Sequence, residues 1–563
     1  MLTVTVVTSV SPTLELIGTA LGNMLVLWLE KLEAIPGGSV IVRYIKKSHQ
    51  NDPGRTVFEF ALFLLLIYYI VGLRTKELKL DTISFSEREI DELVAEWNPE
   101  PLVEPVLNLE KWRLNAVPVI HGHNGAHVLL SLGEIGVANL ATNDFLNLNE
   151  LELIKNAARE CIRNVGVGAC GPPNFYGTQD VHVRLEEDLA HFLQTEQGIL
   201  YGQDFVTAGS VIPSFLKRGD LCVVDMGVSL AIQKALIVLR ADIEWYNHND
   251  VKDLRRVLEE LKPELDRHKK IKRRFIITEA IFANLGDIAD LASIVELKKE
   301  FKYRVFLDES LSIGVLGKLG RGLPEHANVP RSDVDITIGS MANAFASLGG
   351  FCVGEAVMVH HQRIQLAAYV FSASLPPYLA KVTLQAIKEI SENTLGDELS
   401  LLIKLRRHIN TVYTLLQSLP SPFFEVVSNP HCPVIHLALN PDWRRQLNFP
   451  ELYGNDVFLR TGKQAKYLNS FNEYYNLELY ILQRVIDLIL GKANVLVTRS
   501  KQILEHENLP VHPPHLLIHV NIGVTDTELA KLIRAVPEAF AEVCESLKSE
   551  ADLFVLNDKI IEY

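Results

Sequence analysis

The N-terminal quarter of the chain is patterned differently from the rest. Leu16 to Leu29 (LIGTALGNMLVLWL) and Phe60 to Leu73 (FALFLLLIYYIVGL) are apolar runs of fourteen residues without a charge. Val57 and Phe58 lengthen the second run to 17 residues, with Glu59 inside its edge. At 1.5 Å per residue that is about 25 Å, enough for a thin bilayer. The pattern therefore predicts a transmembrane helix over 57–73, with a buried core helix as the competing reading. The first run is too short to span, so residues 1–56 are expected to form amphipathic or interfacial helices. No Lys or Arg precedes that run and Glu15 stands at its edge, so it is a poor signal peptide. Arg43, Lys46, Lys47 and Arg55 could meet anionic headgroups. Arg74, Lys76 and Lys79 follow the second run, so charge leaves its orientation open. Residues 74–146 read as a linker and N-terminal arm, acidic and dotted with proline from Asp81 to Pro118.

From Asn147 the pattern alternates. Leu151 to Asn164 predicts a helix, Leu221 to Asp225 a short buried strand and Leu230 to Arg240 a helix. Val251 to Leu265 places Leu254, Val257, Leu258 and Leu261 at helical spacing. Phe275 to Phe282 is strand-like, Ile294 to Phe301 helical, and Arg304 to Leu307 a strand ending at Asp308. This alternation predicts an α/β large domain over 147–377 with a mostly parallel sheet. Ligands in such folds sit at the carboxyl ends of strands. Strands Ala493 to Thr498 and Leu516 to Asn521, then a helix with Leu529, Leu532, Ile533 and Val536, predict a smaller α/β domain over 378–563. The basic run Arg267 to Arg274 reads as a solvated loop, or as a headgroup-facing patch.

Composition narrows the function classes. The 563 residues are 48% hydrophobic and 22% charged, which excludes a mainly disordered chain. The net charge of -14 argues against a general nucleic-acid binder. The mean hydropathy of +0.13 owes part of its height to the N-terminal runs. Six scattered cysteines form no CxxC pair, so neither a disulfide framework nor a zinc site is expected.

Gly166, Gly168 and Gly171 spell GxGxxG, but a helix precedes them and Pro172 and Pro173 follow. A dinucleotide fingerprint needs the reverse context. The longer string from Gly166 through Cys170, Phe175, Tyr176, Gly177, Asp180 and His182 to Leu185-Glu186 is more specific. It resembles the glycine-rich segment of the α-oxoamine synthases. That family comprises fold-type I, class II aminotransferase-like pyridoxal-phosphate enzymes that condense an amino acid with an acyl-CoA. Phe306-Leu-Asp308-Glu309-Ser310-Leu311-Ser-Ile-Gly314 resembles the family's LDEAHS-I-G motif. Gly339-Ser-Met-Ala-Asn343-Ala-Phe345, followed by Gly349-Gly350, resembles its GTFTKxFG lysine motif. Phe371-Ser-Ala-Ser374-Leu-Pro376-Pro377 resembles its FS-x-x-LPP turn. The order and spacing agree from Trp97 to the C-terminus.

Such a cofactor needs a lysine amine for covalent attachment and a carboxylate at its ring nitrogen. The resemblance assigns the carboxylate position to Asp308. The lysine position holds Asn343, and no lysine lies between Lys318 and Lys381. Leu311 and Ser229 stand where the family has histidines, and the arginine common in the glycine-rich segment is missing. These departures are similar to those of the lysine-free subunit of a heterodimeric family member. That complex condenses L-serine with palmitoyl-CoA to 3-ketosphinganine, the first step of sphingolipid synthesis. Ile35 to Pro53, Tyr201 to Phe205 and Arg218-Gly-Asp220 are like its fungal form.

The resemblance implies no covalent cofactor and no catalytic residue in this chain, with pyridoxal phosphate in a lysine-bearing catalytic partner. It implies that this chain stabilises the partner and walls its active site across the interface. Cys170, Phe175 and Tyr176 are the candidate wall, with Tyr201 and Ser374. It further implies a small activating subunit, Orm-type regulators and membrane lipid as partners. The expected location is the endoplasmic reticulum membrane, with the main domain facing the cytosol. No metal is expected. The competing readings are a self-sufficient homodimeric pyridoxal-phosphate acyltransferase and a purely structural membrane scaffold.

Overall fold

The structure is a computed structural model. It describes residues 27, 28, 30–77, 85–99, 101–103, 105–130, 136–239, 241–267, 272–393, 400–454, 469–500, 502–507 and 509–563. Most of the first apolar run therefore lies outside the described residues, as do 268–271 of the basic run. The chain divides into two compact units, one through residue 104 and one from residue 105.

In the first unit, helices Gly38–Asn51 and Pro53–Glu77 adjoin at Asp52. The second carries the longer apolar run. Its large apolar side chains from Val57 through Val71 are exposed, so the core-helix reading fails. Among the described residues no helix is long and apolar enough to cross a membrane. Glu59, at the edge of the run, pairs with Arg55 (2.9 Å). The expected linker contains a helix, Glu87–Glu96. Its capping box explains it: Ser86 accepts from the Glu89 amide, and Glu89 accepts from the Ser86 amide at 2.8 Å. Ile90, Leu93, Val94 and Trp97 follow at helical spacing, all exposed.

The second unit is built on β1 (His127–Val128), β2 (Val137–Asn139), β3 (Gln197–Tyr201), β4 (Leu221–Asp225), β5 (Asp242–Tyr246), β6 (Arg274–Glu279) and β7 (Arg304–Asp308). Next come β8 (Ile336–Ser340), β9 (Gly350–Gly354), β10 (Phe424–Val426), β11 (Val434–Leu439), β12 (Val495–Leu496), β13 (Thr498–Arg499) and β14 (His515–His519). The main sheet has the order β3-β9-β8-β7-β6-β4-β5. It is mixed rather than purely parallel. Strands β5, β4, β6, β7 and β8 run together, whereas β9 runs against both β8 and β3. Strand β3 is thus parallel to β8, and Tyr201, Asp225, Glu279, Asp308 and Ser340 all end strands at one edge. Interior positions such as Val223, Ile276 and Phe306 are fully buried, each contributing about 2 kcal/mol.

The smaller sheet, β10-β11-β14-β13, is antiparallel throughout. Helices Glu473–Ala493 and Asp526–Cys544 pack together beside it. The predicted strand Ala493–Thr498 is split. Strand β12 joins β2, and β13 joins β14, so this stretch links two sheets. Helix Glu152–Val165 packs on helix Pro377–Glu392 and leads into the glycine-rich segment.

Candidate functional site

The strand ends bring carboxylates together. The β6–β7 register sets Glu279 opposite Asp308, and both are buried. One oxygen of Asp308 accepts from the Ser310 amide (2.9 Å) and the Ser310 hydroxyl (2.6 Å). Glu279 accepts from the amides of Ser229 (2.6 Å) and Ala283 (3.2 Å). Burial pushes both carboxyls above their usual range. The charge of Asp308 adds to the rise of Glu279, and the charges of Glu309 and Asp204 add to that of Asp308.

Asn343 lies in the loop between β8 and β9 and is held at both ends. Asn143 Nδ2 donates to its Oδ1 (2.9 Å), and its Nδ2 donates to the Ser310 carbonyl (2.7 Å). His519 Nδ1, at the end of β14, donates to Asn143 Oδ1 (2.7 Å). A relay therefore runs from the small sheet through Asn143 and Asn343 to the loop after Asp308. Leu311 is half-buried against the core and offers no polar atom. Ser229 contributes its amide to Glu279.

At the other side of the strand ends, helix Phe205–Phe215 begins with its N-terminus beside β8. Asp204 caps it, accepting from the Phe205 amide (2.8 Å). The Ser340 hydroxyl donates to Asp204 Oδ2 (3.0 Å) and accepts from the Ala342 amide (3.0 Å). These residues do not fit pyridoxal phosphate. Asn343 has no amine for its aldehyde, and the helix N-terminus that suits its phosphate already carries a carboxylate.

The glycine-rich segment forms an exposed ribbon. Phe175 is 63% and Tyr176 76% exposed, and Cys170 is exposed at φ 56°. Gly177 is required by close approach: a Cβ there would lie 1.9 Å from the Gly171 carbonyl oxygen. That carbonyl accepts from the Ser374 amide (2.9 Å), tying the ribbon to the FSASLPP turn. Tyr201 is placed differently. It is only 3% exposed, and its hydroxyl donates to Gln362 (2.6 Å). Tyr201 and Ser374 line one cleft with Pro173, Thr178, His182 and Tyr369. Among the described residues no His, Cys, Asp and Glu cluster has the arrangement of a metal site.

Sequence reasoning missed Asp204, Asn143, His519 and the two carboxylates, Asp225 buried and Asp287 half-buried, that face His248. His248 Nδ1 donates to Asp225 (2.7 Å) and Nε2 donates to Asp287 (2.9 Å). Burial opposes its charge, but the two carboxylates hold its pKa up to about 10. The only signal was the position of Asp225 at a strand end.

Residues 135–444 match the family described as aminotransferase class I and II. The chain is 41% identical over 529 residues to serine palmitoyltransferase 1 of Saccharomyces cerevisiae, covering 91% of this chain and 94% of that one. It is 34% identical to serine palmitoyltransferase 1 of Dictyostelium discoideum, over 90% and 98% of the two chains. It is also 34% identical to long chain base biosynthesis protein 1 of Arabidopsis thaliana, over 86% and 91%. Among solved structures, serine palmitoyltransferase of Sphingomonas wittichii superposes with a TM-score of 0.61 at 18% identity, over 82% of this chain and 99% of that one. That likeness shows the fold.

Proposed function

The chain belongs to the family of serine palmitoyltransferase 1 and the long chain base biosynthesis proteins 1, and from that premise we propose that it is the required, non-catalytic subunit of a serine palmitoyltransferase heterodimer. The complex would condense L-serine with palmitoyl-CoA, releasing CO2 and CoA and giving 3-ketosphinganine. Pyridoxal phosphate, the electron sink for that reaction, belongs to the lysine-bearing partner.

The observation that carries this reading is the state of Asn343. Its amide both accepts and donates inside the fold, between Asn143 and Ser310. It holds two loops together and has no free group for bond-making. What the chain offers the partner is surface. Cys170, Phe175 and Tyr176 project from a ribbon whose glycines allow close backbone approach. Bulky rings displayed to solvent at such density fit a wall that is covered on assembly.

The apolar helix Pro53–Glu77 and the helix Gly38–Asn51 before it serve as the lipid-facing part of the chain. The exposed run from Val57 through Val71 supports this. They anchor the complex at the endoplasmic reticulum membrane, with the second unit on the cytosolic side. A small activating subunit and Orm-type regulators complete the assembly, the latter at the N-terminal helices. Deleting residues 1–75 while keeping the heterodimer should abolish association with Orm-type regulators, and retained association would refute that part.

The decisive test of the subunit role is reconstitution. The chain alone, the lysine-bearing partner alone and both together are assayed for 3-ketosphinganine. Product only from the pair is expected. Full turnover by the partner alone would leave this chain a scaffold, and turnover by this chain alone would make it an enzyme in its own right.

A further inference from the structure

The start of helix Phe205–Phe215 carries a charged group that the subunit role does not use. This N-terminus lies at the carboxyl edge of the sheet, beside the ends of β3 and β8. A helix N-terminus there is a ready-made anion site, with amides and the helix dipole directed at the ligand. In this chain the anion is covalently supplied. Asp204 Oδ1 takes the Phe205 amide, and Asp204 Oδ2 takes the Ser340 hydroxyl, itself oriented by the Ala342 amide. Strand β9 locks this arrangement. A Cβ at Gly350 would lie 2.0 Å from Thr207 Oγ1 and 3.2 Å from the Asp204 Cα, so only glycine lets the strand pass so close to the helix start. Asp204 also lies near enough to Asp308 for its charge to act on that buried carboxyl.

We infer that Asp204 is a built-in anion, which fills the position a phosphate-bearing ligand would need and closes the pocket at these strand ends to such ligands. The inference rests on the reading of this chain as one that binds no covalent cofactor, and adds a second, independent barrier to it. Asn343 removes the attachment point. Asp204 removes the phosphate cradle, since a phosphate dianion would have to displace it or sit beside it, and like charges placed together at a binding site are strongly disfavoured. The charge at Asp204 is therefore predicted to discriminate phosphorylated from unphosphorylated forms of one aldehyde.

The test uses the full chain co-purified with its partner subunit, and Asn343→Lys as a reporter amine. Wild type, N343K, N343K/D204N and N343K/D204E are incubated with pyridoxal 5′-phosphate or with pyridoxal. After borohydride reduction, adducts at position 343 are quantified by peptide mass spectrometry, which separates this chain from its partner. Asparagine is as good a helix cap as aspartate, so D204N preserves the fold while removing the charge. We expect N343K/D204N to label at least about tenfold more with pyridoxal phosphate than N343K or N343K/D204E, with pyridoxal labelling unchanged. Equal pyridoxal phosphate labelling in N343K and N343K/D204N would overturn the inference. So would an equal rise with both aldehydes, which would mean access rather than charge. Should the N343K background not fold, D204N alone is melted with and without inorganic phosphate. A phosphate-dependent rise in midpoint, absent from wild type and D204E, is then expected, and its absence refutes the inference. An adduct on the wild-type chain that supports turnover would instead sink the no-cofactor reading, and the two failures are read in different samples.

Discussion

On the proposed reading, Asn343 stands where a family enzyme carries its amine, and in this fold it serves structure. In place of an amine it puts an amide that donates and accepts within one relay, from His519 to Ser310. Replacing it with lysine keeps a donor and loses the acceptor, leaving Asn143 Nδ2 without its partner in a half-buried site. Asn343→Lys is therefore expected to destabilise the chain by about 1–3 kcal/mol and to give no turnover by itself, as denaturant melts and a 3-ketosphinganine assay would show. Activity from that change alone would mean that Leu311 and Ser229 are not obstacles. His248 carries a larger share of stability. It faces two carboxylates, one of them Asp225 at 1% exposure. His248→Ala removes the cation beside that buried carboxylate, which keeps only the Gly227 and Asn249 amides, at an expected cost of about 3–5 kcal/mol. Its folded pKa of about 10 lies above the ordinary value of 6.5, so its contribution is complete below pH 6.5 and fades as pH rises through 10. The stability gap between wild type and His248→Ala should narrow across that window. A constant gap would show that packing, not charge, holds the site. Asn343, Asp308 and Leu311 were legible because they sit inside ordered motifs, and Ser229 from its place just after the strand ending at Asp225. Asn143 and His519 were not, because they meet only on folding, 376 residues apart.

The glycine-rich ribbon and the turn that supports it form the element that, on the proposed reading, carries the surface offered to the partner. Its order comes from backbone: the Gly171 carbonyl, the Ser374 amide and the tight pass at Gly177. Its large side chains are left to solvent, so they contribute little to the fold of this chain. Phe175→Ala should leave the melting midpoint of the isolated chain unchanged within about 0.5 kcal/mol and lower turnover or alter acyl-chain choice in the heterodimer. A heterodimer with unchanged kinetics would favour the scaffold reading. The composition of this ribbon was legible, because glycines and aromatics in that order are specific. The burial of Tyr201 was not, since it depends on Gln362 across the sheet. Likewise, helix Glu87–Glu96 hides in an acidic, proline-flanked stretch, where the capping box at Ser86 and Glu89 outweighs the breakers around it.

At the scale of the molecule, a pair of buried histidines in the small sheet contributes to the response to acid. His436 and His515 meet at 3.2 Å between Nδ1 atoms inside the small sheet. Burial, then the neighbouring histidines, hold His436 well below its usual pKa. Burial, His512 and Arg444 bring His515 down to about 3. Both are neutral in the fold and must take protons on unfolding, so stability is complete above the unfolded value of 6.5 and declines as pH falls below it. The urea midpoint of wild type relative to His436→Gln should fall between pH 6.5 and 5, a difference that leaves aside the raised Glu279 and Asp308 carboxyls, which act in the opposite sense. A difference between the two that stays constant over this range would contradict the assignment. The α/β alternation and most central strands were readable from the sequence. In the main sheet β3, β5, β8 and β9 were not; glycines interrupt the patterns of β3 and β9, and β9 runs against the parallel order that βαβ alternation predicts. The small domain reads as α/β from its helices, yet its sheet is antiparallel because its strands pair across distant loops.

The central claim is that this chain serves a pyridoxal-phosphate reaction without holding the cofactor covalently. The most direct measurement is the visible spectrum of the purified wild-type chain with added pyridoxal phosphate, followed by borohydride reduction and peptide mapping. The account predicts no imine absorption band and no specific reduced adduct on this chain, with both present on the partner in the heterodimer. A stoichiometric, reducible adduct on a lysine of this chain would contradict it.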